Sequence, residues 1–249
     1  VFNPDIYVPE LVRQGKSLND AREGGCSGCI EVGAFGKEAF ILTGYLNVPK
    51  LLEVTLNNGI DPLTGKKVGI ETGDPRQFKT YQDLYRAFVA QLNHVVDLKI
   101  RVSNYIDRMF AKYAPAPFLS VVIEDCISKG RDYYDAGPRY NTNYIQCTGL
   151  GTVTDSLSAL KTHVFEEQTF TMERLLDALA NNFMGEEVLR QTILNRTPFF
   201  GNDDDRADGI ALDVFNTFVE MIDGRPNTRG GTHHINMLPT TCHIYFGSK

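Results

Sequence analysis

Two cysteines three residues apart, Cys26 and Cys29, lie in the glycine-rich run "GGCSGCIEVGAFGKEAF" at 24–40, and a carboxylate, Glu31, follows two residues behind the second. Four chemistries fit those residue types: half of a zinc site, a redox dithiol, a disulfide, or a sulfur that reacts with substrate beside a proton-moving base. Zinc would draw its other ligands from His233, His234, Cys242 or His243. Adjacent Cys242 and His243 in a strand point to opposite faces, however, and no second Cys-x-x-Cys exists. A thioredoxin-like dithiol needs the motif at a helix start after a strand, and here glycines flank it on both sides. Buried, inert thiols are the plain alternative, and Cys126, Cys147 and Cys242 read that way. For Cys29 the glycines change the expectation. Gly24, Gly25, Gly28, Gly33 and Gly36 permit close backbone approach and positive φ. In extended backbone Cys29 and Glu31 would share a face, placing a hydrogen-exchanging sulfur beside an acid–base group.

The elements that must position this run are readable in part. Apolar residues recur at helical spacing over 81–113, with Thr80 as cap, until Pro115 and Pro117 stop the run. Pro49 and Gly59 bracket a shorter helix. Further helices are expected at 154–165, 172–183, 186–194 and 206–222. Short apolar runs at 118–125, 143–149 and 235–247 read as strands. Alternation of the two implies an α/β architecture. The acidic "GNDDDRAD" at 201–208 lacks the spacing of a calcium loop and reads as a solvated helix start.

Bulk properties exclude several classes. The 249 residues carry a net charge of −6 with 42% hydrophobic residues and no basic cluster, so nothing favours nucleic acid or a membrane surface as partner. No apolar run approaches the roughly 20 residues of a bilayer span. Five cysteines, an odd and low number, fit a reducing cytoplasmic compartment better than a disulfide scaffold. The chain opens without methionine and stops just past an apolar strand, so a piece of a larger protein is expected: one incomplete catalytic fragment over 1–249.

The run "GCSGCIEVGAFGKEAFILTGYLNVPK" resembles the Cys-x-Glu active-site loop of glycyl radical enzymes, in the branch that carries out eliminations. "LNNGIDPLTGKKVGIETGDP", "APAPFLSVVIEDCISKG", "GPRYNTNYIQCTGLGTVTDSLSALK", "TPFFGNDDD", "DGRPNTRGG" and "MLPTTCHIYFG" carry the likeness along the whole chain, in order. Pyruvate formate-lyase itself has two adjacent cysteines in its loop, where this chain has Cys29-Ile30-Glu31.

The resemblance implies a ten-stranded β/α barrel with the cysteine loop threaded inside. It implies a glycyl radical near a C-terminus, installed by a partner enzyme that uses S-adenosylmethionine and a [4Fe-4S] cluster; this chain itself would bind no cofactor or metal. It implies Cys29 as the thiyl residue, because Cys29 and not Cys26 begins the Cys-x-Glu, and Glu31 as the acid–base group. The family's Arg-Val-x-Gly-Tyr radical motif is missing: Arg101-Val102-Ser103-Asn104-Tyr105 has Asn where the glycine belongs, and Gly44-Tyr45 lacks the Arg-Val. This chain alone is therefore expected to be inactive. "CSGCIEVGAFGKEAF", "RVSNYIDRMFAKYAPAPF" and "GPRYNTNYIQC" are most similar to the hydroxyproline-dehydrating members of the branch, with the choline-cleaving members as the alternative. In the former, Tyr45 and Thr240 match residues at the substrate. The family is often homodimeric.

Overall fold

A computed structural model describes residues 3–238 and 242–247, with nothing stated for the His243 side chain. The chain begins with helices α1 (Pro4–Arg13) and α2 (Leu18–Arg22), then short strands β1 (Gly25–Cys26) and β2 (Val32–Gly33). Strand β3 (Glu38–Asn47) leads to α3 (Val48–Leu56), the long α4 (Tyr81–Tyr113), α5 (Pro117–Val122) and α6 (Cys126–Lys129). After β4 (Tyr140–Thr148) come α7 (Leu150–Ala159), a π-helical continuation over Leu160–Glu166, α8 (Met172–Ala180), α9 (Glu187–Arg196) and α10 (Asp205–Ile222). Strands β5 (Arg225–Pro226) and β6 (Thr232–Met237) and helix α11 (Cys242–Gly247) complete the described chain.

The fold is mixed α/β. Four strands form one sheet in the order β3-β4-β6-β5, with β4 and β6 parallel and β5 antiparallel to β6. β1 and β2 form a separate antiparallel pair. The chain divides into two compact units. The first holds the residues up to Leu46, Asp97–Cys147 and Val219–Leu238; the second holds Asn47–Val96, Thr148–Phe218 and the described residues that follow.

In the first unit the sheet has two occupied faces. Asn143 on β4 donates to Asp107 on α4 at 2.7 Å, and His233 on β6 hydrogen-bonds Asn104 on the same helix at 3.0 Å. The alternate positions Thr142, Tyr144, Gln146, His234 and Asn236 point to the opposite face, because side chains alternate along a strand. Parallel register places Tyr144 beside His234 and Gln146 beside Asn236. The second unit is helical around an apolar core that includes Leu84, Phe88, Leu92, Val153, Leu157 and Val214.

Local chemistry explains the helix boundaries. Thr80 Oγ1 accepts from the Asp83 N–H at 3.2 Å while Asp83 accepts from the Thr80 N–H at 2.9 Å, a reciprocal cap that starts α4. Asn47 caps α3, with Pro49 in its first turn, and Gly59 takes a φ of +89° beyond its end. The helix expected at 154–165 starts earlier, at Leu150 behind the left-handed Gly149. The one expected at 172–183 stops at Ala180, since Asn182 and Phe183 take positive φ. The acidic run at 201–208 does open a helix, at Asp205.

Two expected strands fail. Residues 118–125 fall largely in helix α5, where Pro117 occupies the first turn and loses nothing by lacking an N–H. Its β-branched residues are not buried: Val121 is 64% and Val122 69% exposed, so no sheet selects the extended state. Of the described residues in 235–247 the first three are strand and Cys242–Gly247 is helical. Cys242 is thus neither a strand residue nor fully buried.

Candidate active site

The loop from Ser27 to Glu31 is the tip between β1 and β2, whose ladder pairs Gly25 with Gly33 and Cys26 with Val32. A Cβ on Gly24 would sit 2.5 Å from the Gly33 carbonyl oxygen, and one on Gly33 would sit 2.3 Å from the Phe40 ring. The glycines at the loop's root therefore serve close approach. Of the glycines in the run Gly36 takes a positive φ, at +71°, and at the tip Ile30 does so at +65°, a left-handed conformation that a β-branched residue rarely adopts. Cys29 and Glu31 thus do not lie on one extended segment. A turn joins them, closed by the Ser27 N–H donating to the Glu31 carbonyl at 2.7 Å and the Ile30 N–H donating to the Ser27 carbonyl at 3.2 Å.

Hydrogen bonds bring the pair together by another route. Asn236 on β6 donates from Nδ2 to the Cys29 carbonyl at 2.7 Å and to Glu31 Oε1 at 3.0 Å. The Ser27 hydroxyl donates to Glu31 Oε2 and accepts from the Cys29 N–H at 3.3 Å. Glu31 and Asn236 are each 5% exposed, so these bonds form away from water, where an unmade one is costly. Cys29 is a free, half-buried thiol.

A second set of polar groups holds the loop's return strand. The Tyr144 hydroxyl donates to the Val32 carbonyl at 2.9 Å and accepts from Gln14 at 3.1 Å. Lys16 donates to Gln14 at 2.6 Å and pairs with Glu38 at 2.8 Å, both almost fully buried. Glu38 also accepts from the Ala34 N–H at 2.8 Å. The loop is therefore fixed at Val32 and Ala34 by a connected chain, and at its tip by Asn236.

Other residues considered for chemistry fall elsewhere. Burial raises the Cys26 thiol above its usual pKa, and carries buried Cys147 up to about 12. Cys26 and Cys29 are both free thiols, so no disulfide joins them. His233 bonds Asn104; His234 bonds Asp223 and Thr232. Among the described residues no group of three or more His, Cys, Asp or Glu side chains is arranged to hold a metal ion. Asn104, at the glycine's place in the near-miss motif, lies inside α4. Tyr45 lies near the end of β3, 44% exposed. Thr240 lies outside the described residues. A cavity of about 980 Å³ in the second unit, lined by Leu52, Leu56, Leu160, Leu175 and Ile193 among others, includes no residue of the loop. No helix among the described residues is long and apolar enough to cross a membrane.

Sequence reasoning missed Ser27 and Asn236. Asn236 had a signal: in "HHINM" it alternates with His234, a polar pair on one face of the strand whose other face carries Ile235 and Met237.

Residues 1–247 match the family described as pyruvate formate lyase-like. The trans-4-hydroxy-L-proline dehydratase of Clostridioides difficile is 52% identical over 246 residues, which is 99% of this chain and 31% of that protein. A crystal structure of hydroxyproline dehydratase from Clostridioides difficile with trans-4-hydroxy-L-proline bound superposes with a TM-score of 0.96 at 52% identity, covering 99% of this chain and 31% of that one. The glycerol-bound B12-independent glycerol dehydratase of Clostridium butyricum gives a TM-score of 0.93 at 33% identity, covering 99% and 31%. The chain spans about a third of the length of the curated relatives it matches.

Proposed function

The chain belongs to the pyruvate formate lyase-like family, and from that membership we propose that it supplies the cysteine-loop portion of a glycyl radical dehydratase acting on trans-4-hydroxy-L-proline. The observation that carries this reading is the loop tip itself. The backbone carbonyl of Cys29, whose thiol is free, and the buried Glu31 carboxylate are tied to one asparagine, in a chain 52% identical to a hydroxyproline dehydratase. The sheet β3-β4-β6-β5 is then part of the ten-stranded barrel, with the loop inside it.

A glycyl radical elsewhere in the complete protein, installed by an iron–sulfur activating enzyme that uses S-adenosylmethionine, supplies the unpaired electron that makes Cys29 a thiyl. Cys29 takes a hydrogen atom from the ring carbon next to nitrogen. Glu31 gives a proton to the neighbouring hydroxyl, which leaves as water with the electron pair of the broken carbon–oxygen bond, while the ring nitrogen loses its proton. Cys29 then returns a hydrogen atom to carbon, leaving 1-pyrroline-5-carboxylate. Burial of Glu31 suits this role, since reactive radicals and proton transfer both need water excluded. Tyr45 and Thr240 are the substrate-contacting phenol and hydroxyl. The complete protein works in the cytoplasm as a homodimer.

The test is product analysis with the activated complete enzyme. Hydroxyproline should give pyrroline-5-carboxylate and water. Acetaldehyde and trimethylamine from choline, with hydroxyproline untouched, would replace this reading with a choline lyase. Glu31→Gln should abolish turnover; unchanged turnover contradicts the acid–base role.

A further inference from the structure

The two groups that hold Glu31 are not equivalent, and the difference concerns where its proton can sit. Asn236 donates to the Cys29 carbonyl at 2.7 Å, and a carbonyl can only accept. That bond turns the NH2 end of Asn236 toward the loop whatever the charge on Glu31. The second amide N–H therefore faces Glu31 Oε1, at 3.0 Å, in both protonation states. An oxygen that always receives an N–H has no room for a proton directed at the same partner. The Ser27 hydroxyl, at Oε2, carries one hydrogen and two lone pairs. One lone pair takes the Cys29 N–H at 3.3 Å, which leaves a hydrogen to donate to a carboxylate or a lone pair to accept from a carboxylic acid.

We propose that Ser27 and Asn236 are positioning residues that assign the catalytic proton of Glu31 to Oε2. The assignment rests on the reading of Glu31 as the acid that releases water. As the Oε2 proton leaves its hydrogen bond to Ser27 and passes to the departing hydroxyl, the carbon–oxygen bond breaks and its electron pair leaves with oxygen. The Ser27 hydroxyl turns from accepting to donating, so the new carboxylate gains a donor in the same event. Sequence spacing supplies the geometry: Ser27 and Glu31 face each other across the turn closed at Ile30.

The experiment uses the activated complete enzyme with hydroxyproline in D2O. It reads kcat, KM, the glycyl radical signal by electron paramagnetic resonance, and deuterium in recovered substrate. Deuterium enters when the Cys29 thiol exchanges with solvent and returns its hydrogen before water is lost. Ser27→Thr keeps a hydroxyl, whereas Ser27→Val, of the same shape, does not. Expected for Ser27→Val is a fall in kcat of about 10²-fold with KM little changed and more deuterium in recovered hydroxyproline. Ser27→Thr should stay within about fivefold of the parent, since it keeps the hydroxyl that general acid catalysis uses here. Asn236→Asp, which places an acceptor against both the Cys29 carbonyl and Glu31, should lower kcat by a similar factor of about 10². Equal behaviour of the Val and Thr variants, or parental kcat in Ser27→Val, overturns the assignment. So does loss of the radical signal in both Ser27→Val and Asn236→Asp, which marks a purely structural role. Glu31→Gln separates the two levels. Full activity there removes the functional reading itself, whereas loss there with parental Ser27→Val and Asn236→Asp removes only this inference.

Discussion

The interior of the first unit holds Lys16, Glu38, Asp107, Gln146, Arg229, His233 and Asn236, each less than a tenth exposed, whereas the second buries Leu84, Phe88, Leu92, Val214 and Phe218 with no measurable exposure. Burying polar groups costs free energy unless each finds a partner, so the first unit depends on its polar network as well as on apolar residues such as Leu11, Ile145 and Ile222. The second relies chiefly on shape and volume, although it too buries Gln91, Ser158 and His163. The candidate catalytic loop sits in the polar unit, anchored by that network, which suggests that stability there has been traded for placement of Cys29 and Glu31.

The largest effects should distinguish the two interiors by how they respond to paired substitutions. Lys16→Met leaves Glu38 charged, buried and without its cation, at a cost of about 3–5 kcal/mol. Adding Glu38→Met should recover most of that loss. Phe218→Ala in the apolar core should cost a similar 3–5 kcal/mol or so, with no second deletion able to restore it. Urea denaturation at pH 7 measures all three. A double variant no better than Lys16→Met would break the comparison.

The next effect is a pH dependence carried mainly by the polar unit, although burial also lowers the pKa of His163 in the second. Burial, reinforced by Arg225, Arg229, His234 and Lys99, lowers the pKa of His233 from 6.5 to about 4. Because the unfolded chain takes up the proton first as pH falls, the stabilisation is complete above pH 6.5 and is lost toward pH 4. The loss amounts to roughly 3 kcal/mol. Buried His234 is lowered too, for the same first reason and with Asp223 opposing it. The stability of His233→Gln should be flatter between pH 6.5 and 4. An unchanged slope would place the acid sensitivity elsewhere.

Smaller effects separate the root of the loop from its tip. A Cβ at Gly24 meets the Gly33 carbonyl at 2.5 Å, and backbone cannot give way cheaply. Gly24→Ala should therefore cost about 1–3 kcal/mol. A Cβ at Gly28 meets nothing within 4 Å, so Gly28→Ala should cost less than about 0.5 kcal/mol. Thermal denaturation of the two variants gives the contrast, and equal costs would remove the distinction between root and tip. Smallest of all, Ile30→Gly relieves the left-handed strain and should raise stability by up to about 1 kcal/mol. A fall in stability would mean that the Ile30 side chain contributes packing that outweighs the strain.

The same contrast explains what could be read from sequence. Helical periodicity located α4 and α10 nearly to the residue, because amphipathic helices repeat their burial every turn. The strands of the polar unit gave a weaker signal. β3, with a charged Glu38 at its start and Gly44 at a φ of +117°, passed unnoticed, and β4 was found only from Asn143 onward. Helix α1 lacks a buried stripe, with Leu11 its one buried residue, and also went unseen. Of the candidate site, Cys29 and Glu31 were visible as a spacing, but the clamp was not. Ser27 and Asn236 are joined to them by contacts across a turn and across 205 residues between Asn236 and Glu31. No local pattern encodes such a contact. The assumption of extended backbone was the wrong part, since Ile30 turns the chain.

The most direct test of the central claim compares Cys29→Ala with Cys26→Ala in the activated complete enzyme supplied with trans-4-hydroxy-L-proline. Both should carry the glycyl radical signal. Cys26→Ala should still form pyrroline-5-carboxylate, and Cys29→Ala should form none. Product from Cys29→Ala, in the presence of a normal radical signal, would contradict the account.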